Sequence, residues 1–481
     1  MPTYAVDEPI AALATPPGRG AIGIIRVSGD GAIDRVAALS SVPAALRDAA
    51  GHTVHYGEIR DLESGEAVDE VLFLVFRAPR SYTGEDAVEI QGHGSPPVLD
   101  RILALLAGQG IRAAAPGEFT YRAFINGKLD LTQAEAVNEL VNAQTTAAGG
   151  LALRRLSGAV YQRIDRAKER LVGVMANLAV QIDYPDDETG EIPMEVEAVR
   201  EVRADLHDLR HSYATGRLYQ EGALVVIAGR TNAGKSSLFN ALLREDRAIV
   251  SETHGTTRDY LEVAVSMQGV PVRLIDTAGL RESDESIETE GIRRSRELLA
   301  SADAAIYVVD GLTGVTEEDR EEMRHLETTL PGAVIPVRSK SDLVVPSPES
   351  DDGDSSFAFS VPGAVLLPVS AVTGDGLSRL GAETVALLRR IRGAVAGSSV
   401  PTGTALPGAG EAVIDSARQR DLLDRAIRAL DAAEEGMDAT IPADAVAVDV
   451  QDAMGALGEI TGEVSSADIL DVMFGSFCLG K

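Results

Sequence analysis

This chain has no tryptophan, a single cysteine in 481 residues, and five lysines against 39 arginines. The lone cysteine, Cys478, cannot close an internal disulfide, which excludes a disulfide-stapled scaffold and predicts a reducing cytoplasm. No run of about 18 apolar residues occurs, so no membrane-spanning helix is expected. The opening stretch MPTYAVDEPIAALATPPGRG lacks a basic flank followed by an apolar segment, so no secretory signal is expected. Basic residues are in deficit, 44 against 74 acidic ones, for a net charge of −30. Such a field opposes non-specific nucleic-acid binding, which relies on Lys and Arg neutralising phosphates. It leaves room for a local basic patch or a basic partner and otherwise describes a solvated acidic surface.

The few lysines are informative. Where only charge matters Arg has taken over, so each surviving lysine marks a place that needs a compact ammonium. Lys168 (RAKER) sits on an amphipathic stretch and reads as a surface residue. Lys128 (INGKLDL), Lys235 (NAGKSS), Lys340 (SKSDL) and Lys481 remain to be explained.

Three patterns divide the chain. Residues 1–122 read as mixed α/β, with strands in AIGIIRVSG and DEVLFLVFRAP and a helix in SPPVLDRILALLAG. Residues 131–218 are helical: Val199, Val202, Leu206 and Leu209 recur at spacings of three and four, and an earlier helix ends before Tyr184-Pro185. From 222 to about 390, short apolar runs (ALVVIAG, VRLIDTAG, AAIYVVDG, AVIPVRS, VLLPVSA) alternate with helical stretches, as in a parallel sheet with crossover helices. PSPESDDGDSS (346–356) reads as a solvated loop and 393–410 as a Gly/Ser/Pro linker, after which Val413, Ile414, Ala417, Leu422, Ala426, Ile427 and Leu430 predict another helix. The economical reading is a helical domain split by an inserted nucleotide-binding domain.

That insert carries the chemistry. ALVVIAG runs into GRTNAGKSS, which matches G-x-x-x-x-G-K-[ST] from Gly229 to Ser236. Backbone N–H groups of such a loop close on phosphates at a helix N-terminus, so Asn232, Ala233, Gly234, Lys235, Ser236 and Ser237 are phosphate candidates. Lys235 would reach the β- and γ-phosphates and Ser236 would hold Mg²⁺. GTTRD supplies Thr257 as a second magnesium ligand. In DTAGL, Asp276 falls on the magnesium side, followed by Thr277 and Ala278, and Gly279 faces the γ-phosphate. SKSD resembles the guanine-reading N-K-x-D, in which Lys340 and Asp342 take part and the carboxylate accepts from guanine N1 and N2. Ser370-Ala371 resembles the loop at guanine O6. In this order and spacing the elements identify a GTPase. Ser339 stands where Asn usually braces the loop and touches the purine, so reduced nucleotide affinity is expected, with guanine selectivity retained.

Leu280 occupies the position where signalling GTPases place a water-orienting Gln. Another group must then position the water, and RESDESIETEG (281–291) offers carboxylates. Transition-state charge could be met by an arginine finger, or by a monovalent cation to which Asn232 lends a side-chain oxygen.

With these motifs placed, the whole chain resembles the tRNA modification GTPases of the TrmE family. The stretches that carry the resemblance are ATPPGRGAIGIIRVSG, TGEDAVEIQGHG, APGEFTYRAFINGKLDLTQAEAV, GRTNAGKSSLFN, GTTRD, DTAGLR and GEITGEVSSADILDVMFGSFCLGK. The resemblance implies a multidomain α/β plus α fold. An N-terminal α+β tetrahydrofolate-binding and dimerisation domain (1–122) precedes the first helical part (123–220); the inserted P-loop G domain (221–390) follows, then a second helical part (391–481) ending in a C-x-G-K tail. It implies a GTP hydrolase that helps install a carboxymethylaminomethyl group at C5 of the wobble uridine (U34). Its cofactors would be Mg²⁺, K⁺ and a 5-formyl- or 5,10-methylene-tetrahydrofolate, and it would act as a homodimer with an FAD-dependent flavoprotein partner, tRNA being the substrate of the complex. Residue by residue, Asn232, Ser251, Thr253 and Thr256 fall on potassium-ligand positions within the P-loop and SETHGTT, a stretch that also brings Glu252, His254 and Gly255 to the nucleotide. Glu288 matches the glutamate that positions the hydrolytic water, and Arg26, Glu89, Lys128 and Lys481 fall on folate-contacting positions. Tyr121 stands where many relatives carry a charge.

Two other readings fit less well. A ribosome-assembly switch GTPase shares the G motifs but should carry a basic RNA-binding appendage, against the charge of −30. A folate-dependent one-carbon enzyme with incidental GTP would not need the full motif set. At the tail, Gly480 and Lys481 match the prenylation pattern C-a-a-X poorly. Phe474 and Phe477 look like core residues, and the resemblance sets Cys478 at the one-carbon site as a catalytic candidate.

Overall fold

A computed structural model describes residues 7–183, 195–245, 262–276, 301–344, 366–395, 411–439 and 441–464, with Leu470, 473–475, Phe477 and Gly480 nearer the C-terminus. The chain forms two compact units, one drawn from residues 1–141, 155–179 and 444–481, the other from 142–154 and 180–443.

The first unit is built on a six-stranded sheet, β1 (Ile10–Leu13), β2 (Ile22–Ser28), β3 (Thr53–Arg60), β4 (Ala67–Phe76), β5 (Ala87–His93) and β6 (Arg112–Ala113), in the order β3-β4-β5-β2-β1-β6. Only β1–β6 is parallel among its pairs. Side chains alternate along each strand. Ile25 and Val27, Val71, Phe73 and Val75, and Val88 and Ile90 therefore share one buried face, covered by α1 (Ala32–Ala38) and α3 (Pro96–Gly108); a short α2 (Pro43–Arg47) lies between β2 and β3 in the chain. The same register leaves Arg26 opposite Glu89, and Glu89 opposite Leu74, on the other face. Helix α4 (Glu118–Ile125) follows β6. Next come α5 (Leu131–Asn142), α6 (Thr146–Leu156) and α7 (Ala159–Asp183). Lys168 on α7 is ion-paired with Glu463.

In the second unit, α8 (Val196–His211) and α9 (Tyr213–Glu221) lead into a sheet made of β7 (Ala223–Ala228), β8 (Glu262–Met267), β9 (Val270–Asp276), β10 (Ala304–Val309), β11 (Val334–Arg338) and β12 (Leu367–Pro368). The order is β12-β11-β10-β7-β9-β8, parallel except for β8–β9. Strands buried on both faces read as continuous apolar runs. Val225, Ile227, Ile306 and Val308 accordingly face one cluster with α10 (Lys235–Glu245) and α12 (Leu377–Val395), while Leu224, Val226, Tyr307 and Val309 face the other with α11 (Glu317–Thr329). The chain continues through α13 (Ala417–Asp438) to α14 (Ala443–Thr461).

In the first sheet the sequence reading singled out β2 and β4 but not β1, β3, β5 or β6, and two details of the second unit differ as well. Strand β8, missed there, alternates Val263, Val265 and Met267 with polar or small neighbours. The helix after the linker starts at Ala417, not at Val413. Val413 and Ile414 are buried but not helical: the Ile414 N–H donates to Ser212 Oγ at 3.0 Å, and its carbonyl lies so close to Gly216 of α9 that a Cβ there would stand 2.2 Å from it. Part of the acidic surplus is absorbed by arginines between α8 and α13: Arg200 pairs with Glu434 (2.6 Å), Arg203 with Asp431 (2.8 Å) and Arg210 with Asp424 (2.8 Å).

Candidate functional site

The phosphate loop leaves the carboxyl end of β7, a central strand flanked by β9 and β10. Gly229 has φ 137°, and a Cβ there would lie 2.3 Å from the Val308 carbonyl oxygen, so only glycine fits. Asn232 (φ 62°) and Gly234 (φ 99°) complete the turn, and α10 begins at Lys235 with its first N–H groups facing the loop. Lys235 is buried, and its Nζ donates to the carbonyls of Gly229 and Arg230, each at 2.7 Å. Ser236 Oγ donates to Asp276 Oδ2 at 2.9 Å, bringing together two of the residues expected on the magnesium side. A hydroxyl beside a buried carboxylate is a donor set suited to a hard, oxygen-seeking cation.

Behind the loop lies a cavity of about 240 Å³ lined by Gly234, Leu238, Ser339, Asp342, Val369 and Val372, among others. Its walls are largely apolar and its polar groups are held. Ser370 Oγ accepts from the backbone N–H groups of Val372 (3.2 Å) and Thr373 (3.1 Å) and donates to Asp342 Oδ1 at 2.7 Å. Lys340 (φ 54°) donates to Asp310 Oδ2 at 2.7 Å and to the Asn232 carbonyl at 3.4 Å. Asp310 was missed by sequence reasoning. Burial pushes its carboxyl up, but the Lys340 ammonium and backbone donors outweigh that and hold it below the usual carboxylate range. Ser339 stands where an Asn usually braces the loop. Its buried hydroxyl donates to the Ala233 carbonyl at 2.7 Å, with the Val309 carbonyl at 3.1 Å, so the brace between the two loops is present despite the shorter side chain.

Of the remaining nucleotide candidates, Ala233, Gly234 and Ser237 lie in the loop and first helical turn, and Ala371 lies beside the cavity. Ser251, Glu252, Thr253, His254, Gly255, Thr256, Thr257, Thr277, Ala278, Gly279 and Glu288 fall outside the described residues, as do Cys478 and Lys481.

A second cluster sits on the open face of the other unit's sheet. Arg26 donates through Nε (3.0 Å) and Nη2 (2.9 Å) to Glu89 Oε1, and through Nη1 to the Gly480 carbonyl at 3.4 Å. Its guanidinium lies 5.2 Å from the Tyr82 ring centroid and 5.7 Å from that of Phe119, two aromatic neighbours that sequence spacing could not reveal. Phe474 and Phe477 are buried with Leu131 and Ala134, which brings the chain's tail to this cluster. Lys128 Nζ donates to the Pro79 carbonyl at 3.1 Å, in the same loop as Tyr82.

Comparison with known proteins covers both units. The family described as "GTP-binding protein TrmE N-terminus" matches residues 9–128, and that described as "MnmE helical domain" matches 131–478. A protein of Treponema denticola named tRNA modification GTPase MnmE is 41% identical over 99% of both chains. A Moorella thermoacetica protein of the same name is 42% identical over 99% of this chain and 100% of its own. Among solved structures, the G domain of the T. maritima FeoB iron transporter matches 34% of this chain and 98% of its own at 26% identity, with a TM-score of 0.26, too low to bear on the fold.

Proposed function

The chain belongs to the MnmE (TrmE) family of tRNA modification GTPases, and from that premise we propose a potassium-activated GTP hydrolase serving C5 carboxymethylaminomethylation of the wobble uridine, U34, with a tetrahydrofolate one-carbon donor. The observation that carries the GTPase reading is the Ser236–Asp276 pair beside the buried Lys235, on the same loop and helix whose Gly234, Ser237 and Leu238 line a cavity with Asp342. GTP phosphates take the N–H groups at the start of α10, and Lys235, an ammonium with three donor hydrogens, reaches phosphate oxygens while the loop carbonyls keep it aimed. Ser236, with Thr257, would hold Mg²⁺, which neutralises developing phosphate charge. Asn232, with Ser251, Thr253 and Thr256, would hold K⁺, which supplies the positive charge of an arginine finger. Glu288 would orient the attacking water.

Arg26, Glu89, Lys128 and Lys481 would take the folate. A carboxylate such as Glu89 suits the donor edge of a pterin, and the cations suit its anionic glutamate. The domain scheme 1–122, 123–220, 221–390 and 391–481, the homodimer, the flavoprotein partner, tRNA as the substrate of the complex and a cytoplasmic site belong to the same reading. No described helix is long and apolar enough to cross a membrane.

Replacing K⁺ by Na⁺ is expected to cut GTP turnover at least tenfold, about 1.4 kcal/mol of transition-state stabilisation. Turnover indifferent to the cation rejects potassium activation. Deleting the gene should strip the C5 side chain from wobble uridines, measured by nucleoside analysis of bulk tRNA; unaltered uridines reject the tRNA role.

A further inference from the structure

Arg230, the second residue of the phosphate-loop pattern, has no part in the reading above. Its Nε donates to Asp319 Oδ1 at 3.0 Å, while its own carbonyl accepts from Lys235 Nζ at 2.7 Å. One residue thus links the phosphate lysine to a carboxylate 89 positions downstream. Asp319 is fully buried, in the first turn of α11. Its two oxygens divide their work. Oδ2 accepts from Thr316 N (2.8 Å) and Thr316 Oγ1 (2.7 Å), completing the helix cap. Oδ1 accepts from Arg230 at 3.0 Å and shares the single hydrogen of the Tyr307 hydroxyl of β10 (3.0 Å) with Glu322 Oε2 (3.0 Å). Burial, then the carboxylates of Glu322 and Asp319, push the Tyr307 phenol far up, so it remains a donor at every working pH.

A cap needs only Oδ2. A buried carboxylate whose other oxygen meets a phosphate-loop guanidinium is a charge held in place for that loop, because an unpaired charge at this depth is strongly unfavourable. We propose that Asp319 is a positioning residue for nucleotide binding: it fixes Arg230, whose carbonyl in turn holds Lys235 aimed at the β- and γ-phosphate site. The proposal rests on the GTPase reading. Lys235 meets the phosphates in ground state and transition state alike, so loosening it removes uniform binding and is read in KM rather than kcat. Guanine selection, set at Asp342, is untouched.

The test uses the full-length protein as wild type, Asp319→Asn, Arg230→Gln, the double variant and Thr316→Ala. GTP hydrolysis, GTP-over-ATP selectivity and thermal unfolding are measured for each. Each of the first two substitutions should raise KM for GTP about tenfold, the worth of one charged hydrogen bond, with kcat little changed. The double variant should be no worse than the worse single, because both cut one link. Thr316→Ala, which touches only the cap, should lower Tm and leave KM alone. If Asp319→Asn fails to fold, Arg230→Gln alone carries the KM result, since its side chain is partly exposed. Wild-type KM in both single variants, additive losses, or a KM rise in Thr316→Ala each overturns the proposal while the wild type's turnover upholds the GTPase reading. A wild type without GTP turnover overturns both.

Discussion

Asp342→Asn is expected to raise KM for GTP by about 100-fold or more and to admit xanthosine triphosphate in its place. The reason lies in Ser370. Its hydroxyl already accepts from two backbone N–H groups, so its own hydrogen is committed to Asp342 Oδ1 at 2.7 Å. An asparagine in that position must turn its amide oxygen to Ser370 to accept this hydrogen. The amide NH₂ then faces the base edge, where guanine presents N1–H and N2–H₂: donor meets donor, and a desolvated polar pair is left unmade. Xanthine carries a carbonyl at C2 and accepts what guanine refuses. Steady-state hydrolysis of both nucleotides by wild type and variant measures the switch. GTP hydrolysis at wild-type KM, or no gain with xanthosine triphosphate, would show that Asp342 does not read the base.

The phosphate-loop part of the candidate site was legible in the sequence because its parts are local. A phosphate loop is one strand, one turn and one helix start, and Gly229, Lys235 and Ser236 must sit at fixed offsets for backbone and side chain to converge on one point. The partners that hold those parts were not legible. Asp310 and Asp319 come to Lys340 and Arg230 only after β10 has paired with β7 and β11. The T-x-x-D spacing in TEEDR marks Asp319 as a cap, but nothing in VVDG or TEEDR announces which cation each carboxylate will meet. The brace that Ser339 makes was hidden for a related reason. Residue type alone does not show that the two loops approach closely enough for a short side chain to bridge them: a Cβ on Gly234 would lie only 3.3 Å from the Ser339 hydroxyl.

At the level of the fold, alternation and apolar runs located five of the six strands around the phosphate loop. β8 was hidden because only half of its residues are apolar and it pairs antiparallel at the sheet edge. Helical periodicity marked α8 and its buried stripe, but periodicity says which face is buried and not against what. The helices flanking the insert divide between the two compact units, with most of α7 and α14 in one and α8, α9 and α13 in the other. That division depends on pairings such as Arg200–Glu434, 234 residues apart, which no local window contains.

The N-terminal unit holds a comparable network whose removal should have the largest effect on stability. Glu118 is fully buried at the start of α4 and takes four donors: Arg112 Nη2 (2.6 Å) and Arg122 Nη2 (3.1 Å) on Oε1, Arg112 Nη1 (3.0 Å) and the Ala115 backbone N–H (2.9 Å) on Oε2. Arg122 is itself fully buried and also bonds the Glu8 carbonyl at 2.7 Å, tying the start of the chain to α4. Glu118→Gln puts both guanidinium groups beside a neutral amide, leaving Arg112 with Glu8 and Arg122 with Glu85. The loss is expected at the low end of the range for breaking a buried pair, about 3 kcal/mol. Burial alone would push the Glu118 carboxyl up, but the Arg112 bonds, the Ala115 N–H and Arg122 outweigh it and hold it below the usual glutamate range. The sign follows. With the folded pKa depressed, the stabilisation is fully present above the unfolded value of about 4.3 and is lost as pH falls through the lower folded value. Amide exchange in peptides covering 112–125 of the full-length protein should therefore show the wild type losing protection at low pH. The Gln variant should start about 3 kcal/mol less protected and respond less to acid. Equal protection in the two proteins at neutral pH, or parallel losses on acidification, would mean that the ionised Glu118 does not hold this region together.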